Sequence, residues 1–195
     1  MREGKREHAD WHWVRRSVHL LAPLLCVYYL LPDPLLPGVP KEQALVLLAL
    51  LILGFEALRL ILRFEVPGLR PYEAQRPCAP VLFAVAVTIA FLLFPMGISL
   101  PVIAAMGWVD PLIGELRRRR SDAYPLLPLL AYSATLLVGL ALFYGPTFPV
   151  LLSAVLVSPI ALFLEAQRFR LLDDDLVLVL VPLLLVALVL GQLPW

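Results

Sequence analysis

The chain has 195 residues, of which 61% are hydrophobic and 16% charged, with a formal net charge of +1 and a mean hydropathy of +0.87. So few polar groups cannot cover the surface of a soluble domain, and the charge balance implies no nucleic-acid partner. Leucine-rich runs without strand alternation satisfy their backbone groups in lipid only as helices, so the expected fold is an all-α polytopic membrane bundle.

Residues 1–16 form a basic tail in which Trp11 and Trp13 are candidate interface anchors. The apolar run that follows leads into Leu31-Pro32-Asp33-Pro34 with no small-residue cleavage pattern, so it is expected to be a retained span and not a signal peptide. A helix crossing the hydrocarbon needs about 20 residues. Seven candidates occur, at 18–36, 44–62, 81–94, 98–116, 124–144, 149–165 and 176–193. Cys26 and Cys78 fall within the first candidate and beside the third, as small apolar fillers and not as a disulfide framework.

All but one of the 16 Lys and Arg lie in the tail, in 59–76, in Arg117 to Arg120, or at Arg168 and Arg170; the exception is Lys41. Because cytoplasmic loops retain Lys and Arg, this places the N-terminus in the cytoplasm and the end of the seventh span outside. The expected plan is a cytoplasmic tail, 1–16, and a single transmembrane helical domain, 17–195.

Carboxylates inside or at the ends of apolar spans are costly, so each is expected to be paired or functional. Glu56 and Arg59 share a helix face, either as an ion pair or as a metal-holding or base-orienting carboxylate beside a phosphate-binding guanidinium. Asp110 precedes Pro111, which reads either as the cap of a new helix on a broken fourth span or as a metal ligand or base. Glu165 can pair with Arg168 or join a site. Asp173, Asp174 and Asp175 precede the last span, where helix-dipole complementation explains one or two of them and a bound Mg²⁺ would relieve their mutual repulsion. His19 sits where the first span begins, as a packing residue or a proton acceptor; the run from Arg117 anchors orientation or attracts a nucleotide triphosphate.

Taken in order, Arg15-Arg16-Ser17-Val18-His19, Glu56-Ala57-Leu58-Arg59, Asp110-Pro111-Leu112, Glu165, Asp173-Asp174-Asp175-Leu176 and Pro182 resemble the dolichol kinase and phytol kinase family of membrane-embedded, CTP-dependent lipid-alcohol kinases. The chain departs from the family pattern at Ile113, Arg117 and Asp175, and Ser121-Asp122-Ala123-Tyr124 lacks the family's lysine and glycine, so the resemblance is to a divergent member. It implies phosphorylation of an isoprenoid alcohol (polyprenol, dolichol or phytol-like) by CTP at the cytoplasmic membrane face. Asp110, His19 and Glu56 would act in catalysis, and Arg16, Arg59 and Arg117 would bind phosphate. Asp110, Glu165, Asp173, Asp174 and Asp175 would hold Mg²⁺. The partners implied are the lipid alcohol, the nucleotide triphosphate and membrane lipids. The alternatives are a cytidylyltransferase forming a CDP-lipid, a non-catalytic membrane scaffold and a small transporter.

Overall fold

The structure is a computed structural model that describes residues 16–64, 66, 69, 71–167 and 174–193. Among the described residues each apolar run of the sequence forms a helix: α1 Arg16–Leu30, α2 Lys41–Leu62, α3 Ala79–Leu93, α4 Met96–Arg119, α5 Leu126–Tyr144, α6 Phe148–Ala166 and α7 Asp174–Val189. Helices α2, α4, α5 and α6 are long and apolar enough to cross a membrane, while α1, α3 and α7 are shorter apolar helices. A 3₁₀ turn at Pro71–Gln75 precedes α3.

Helix α1 ends before the expected boundary at residue 36, because Pro32, Pro34 and Pro37 cannot continue a helix. From Ala22 to Leu30 it is wound as a 3₁₀ helix, whose rise of about 2.0 Å per residue stretches α1 to about 27 Å. Between α1 and α2 the chain turns on itself through a Val39 N–H bond to the Leu36 carbonyl at 2.9 Å, and the Asp33 carboxylate accepts the Lys41 N–H at 3.2 Å.

The fourth helix is the most buried of those long enough to span. It is continuous from Met96 to Arg119 with Pro101 and Pro111 inside it, so Asp110 does not cap a new helix there. Pro111 withholds only the N–H that the Gly107 carbonyl would otherwise accept, and neighbouring helices hold the remaining turns in register. Small residues let those neighbours approach. A Cβ on Gly139 of α5 would stand 2.8 Å from the Pro101 Cβ, and one on Gly107 would collide with the His19 carbonyl of α1. At its end α4 unwinds through Arg120 at φ 51°, with the Ser121 N–H reaching back to the Leu116 carbonyl at 3.0 Å.

Helices α4, α5, α6 and α7 pack in succession and α7 returns to α4, which closes a ring of four; α3 lies on α7, α1 on α4 and α2 on α3. Contacts between helix ends show that successive helices run in opposite directions: Cys78 before α3 meets Glu56 of α2, Tyr124 before α5 meets Arg117 of α4, and Leu178 of α7 shares a cleft with Glu165 of α6. The ends of α2, α4 and α6 and the starts of α1, α3, α5 and α7 therefore meet at one end of the bundle, hereafter the charged end. At the opposite end the Tyr29 hydroxyl donates to the Phe94 carbonyl at 2.6 Å and lies 2.8 Å from Ser99 Oγ. The outer surface is apolar, with Leu50, Ile61, Leu142, Phe148 and Leu188 all exposed. Monomeric soluble proteins rarely leave so much apolar side chain in water.

Candidate functional site at the charged end

Inside the ring, near the charged end, a small cleft is lined by Met106, Val109, Asp110 and Ile113 of α4, Tyr132 of α5, Ala161, Leu162 and Glu165 of α6, and Leu178 of α7. The α4 residues recur at three- and four-residue intervals, so they form one face of that helix. Asp110 is the polar position on it. The space enclosed is about the size of one water, and the carboxylates of Asp110 and Glu165 are its charged lining.

Helix α1 supplies the next layer. Because Gly107 has no side chain, α1 comes against α4 closely enough for Trp108 Nε1 to donate to the Leu20 carbonyl at 3.2 Å. One further turn along, His19 Nδ1 lies 3.8 Å from Asp110 Oδ2, an ion pair when the imidazole is protonated. Arg16 donates to Glu115 at 2.6 Å, and Glu115 also accepts from Arg118 at 2.9 Å and Arg119 at 2.5 Å. Arg117 grips Glu165 with two parallel bonds of 3.0 and 2.7 Å and donates to the Tyr124 hydroxyl at 2.6 Å, its guanidinium 4.9 Å from the Tyr124 ring centre. Asp110 and Glu165 thus line one cleft, with His19 beside the first and Arg117 on the second, while Arg16 is tied to Glu115 at the same end of α4.

Glu56 and Arg59 are organised differently. Both are almost completely buried. Arg59 donates to the two Glu56 oxygens at 2.8 Å each, and to the carbonyls of Glu73 at 3.0 Å and Arg76 at 2.8 Å. Glu56 also accepts the Cys78 N–H at 2.7 Å, while Glu73 accepts the Ala79 N–H at 3.3 Å. Two carboxylates therefore satisfy orphan donors at the start of α3, where negative charge is favoured. The pair clamps α2, the 73–78 segment and α3 to one another, and its bonds are to that segment and not to the cleft. Burial pushes the Cys78 thiol above its ordinary pKa, with the Glu56 charge adding to the effect.

Among the described residues no three His, Cys, Asp or Glu side chains converge as a metal site. Asp173 lies outside the described residues, as do the side chain of Asp174 and the residues Arg15 and Arg168; Asp175 is half-buried in the first turn of α7. The described side chains alone do not make a divalent-cation site, since Glu165 is occupied by Arg117 and Asp110 faces His19. Leu178, one turn beyond Asp175, lines the same cleft as Asp110, so the start of α7 lies at this end of the ring.

Two residues at the site carry weight that sequence pattern alone does not assign them. Glu115 was legible as a carboxylate three and four residues before Arg118 and Arg119. Tyr132 was legible only as part of the buried stripe Pro128, Tyr132, Leu136 and Leu140, four residues apart along α5. The fold and site define an all-helical bundle with helices of membrane-crossing length and an acidic, arginine-rimmed cleft at one end. No protein-family model, curated protein or solved structure matches the chain.

Proposed function

We propose that the chain is a seven-span membrane protein, one transmembrane domain behind a basic tail, with its N-terminus and charged end in the cytoplasm. It transfers the γ-phosphoryl group of CTP to the hydroxyl of an isoprenoid alcohol. One observation carries this reading: Asp110, beside His19 at 3.8 Å, faces a cleft that also holds Glu165 and is rimmed by Arg117. Phosphoryl transfer asks mainly for positioning and charge neutralisation, which a carboxylate base in the cleft and guanidiniums at the same end of the bundle can supply.

In the proposed step the alcohol oxygen attacks the γ-phosphorus while the bond from that phosphorus to the β,γ-bridging oxygen breaks. The bonding electron pair leaves with CDP. The hydroxyl proton passes to the Asp110 carboxylate, beside which His19 stands at 3.8 Å. Arg16 and Arg117 exchange carboxylate oxygens for phosphate oxygens, which suit the same planar fork. Mg²⁺ enters only as the counter-ion of the triphosphate. Glu56 and Arg59 belong, in this reading, to the scaffold that holds α2 and α3.

The test is to incubate purified protein with Mg²⁺, a panel of isoprenoid alcohols and γ-labelled CTP, ATP, UTP or GTP, and to follow label into the organic phase. The expected products are a lipid monophosphate and CDP. Release of pyrophosphate with a CDP-lipid would assign the cytidylyltransferase instead, and no transfer with any pair would remove the kinase, leaving a scaffold.

A further inference from the structure

Tyr132 is only 3% exposed, yet its hydroxyl has no hydrogen-bond partner among the described residues. A buried hydroxyl without a partner is costly to keep, and phenylalanine would fill the same space without that cost. Its ring stands on the buried stripe of α5, and the cleft it lines is otherwise apolar except for Asp110 and Glu165. Tyr132 thus lines the cleft together with two carboxylates and hydrocarbon walls, and its own hydroxyl is left without a partner among the described residues.

A phosphate does not suit this place, because the space is of water size and the carboxylates repel an anion. A single hydroxyl does suit it, since it is of water size and can donate to a carboxylate while accepting from a phenol, with its hydrocarbon left outside the cleft against the apolar flanks of the bundle. We infer that Tyr132 and Asp110 bracket the hydroxyl of a long-chain alcohol, with Tyr132 donating to its oxygen and Asp110 accepting its proton, while the nucleotide stays outside among the arginines. The inference rests on the kinase reading for its choice of alcohol, and it deepens that reading by naming the contact that selects a hydroxyl.

The experiment measures equilibrium binding of labelled geranylgeraniol to the purified full-length protein without nucleotide, with geranylgeranyl methyl ether as the analogue that cannot donate. Tyr132→Phe should weaken geranylgeraniol about tenfold, the worth of one hydrogen bond, while its melting temperature stays at or above that of the unmodified protein. The ether, which can still accept from Tyr132 but cannot donate to Asp110, should bind the unmodified protein more weakly than geranylgeraniol does and lose further affinity in Tyr132→Phe. Equal binding of geranylgeraniol to the two proteins, or a lowered melting temperature that accounts for the loss, overturns the inference. Tyr132-dependent binding without phosphoryl transfer keeps the alcohol cleft and removes the kinase. Transfer with an alcohol KM unchanged by Tyr132→Phe keeps the kinase and removes the role of Tyr132.

Discussion

Glu56 and Arg59 illustrate how a buried charge pair is tolerated: they bond to each other, and further bonds tie both to the 73–78 segment that leads into α3. Removing one member leaves the other charged and buried. Glu56→Ala should therefore destabilise the protein by about 3–5 kcal/mol, read as a shift in its unfolding midpoint in detergent; a midpoint unchanged from the unmodified protein would contradict the clamp. The same change frees the Cys78 N–H and opens the thiol. With Cys26 replaced by Ala, Cys78 should resist maleimide at neutral pH, because its raised pKa keeps it protonated as well as buried. In the Glu56→Ala variant it should react readily. The three-residue spacing made the ion pair legible in the sequence. Its partners at Glu73, Arg76 and Cys78 were not, because contacts across a loop leave no periodic signal. Tyr132 escaped notice for a related reason: a tyrosine in an apolar run reads as packing until its hydroxyl is found without a partner.

At the scale of single helices, α4 decides where the site lies. Its small residues set how closely α1 and α5 approach, and the α1 contact at Gly107 brings His19 against Asp110. Gly107→Ala places a methyl group into the His19 carbonyl, a backbone atom that cannot rotate away. The expected cost is about 1–3 kcal/mol, seen as a lower unfolding midpoint, together with loss of the Trp108 bond to Leu20, seen as a change in tryptophan emission. An unaltered midpoint and emission would contradict the close α1–α4 contact. Apolar run length and proline punctuation made the existence of every described helix legible. They did not reveal that α4 passes unbroken through Pro111, since a proline breaks an isolated helix and tertiary packing overrides it here. Nor did they reveal the 3₁₀ winding of α1, since a 3₁₀ and an α-helix bury apolar runs of much the same composition.

With Asp33, Lys41 and Glu42 at the opposite end, most ionisable side chains among the described residues lie at one end of a bundle whose flanks are apolar. On the proposed topology, the distribution of Lys and Arg makes that end cytoplasmic. Asp122→Cys lies at the charged end and Thr147→Cys at the opposite end, so a membrane-impermeant maleimide applied to intact cells should label only the latter when Cys26 and Cys78 are replaced. Labelling of both from outside would contradict the arrangement. The central claim joins this polarity to Asp110, and reconstituted vesicles with the charged end outward test both at once. With γ-labelled CTP, Mg²⁺ and geranylgeraniol outside, the unmodified protein should move label into the lipid fraction, and the folded Asp110→Asn variant should lose at least about a hundredfold in rate. Absence of transfer by the unmodified protein, or transfer by Asp110→Asn at the same rate, would contradict the claim.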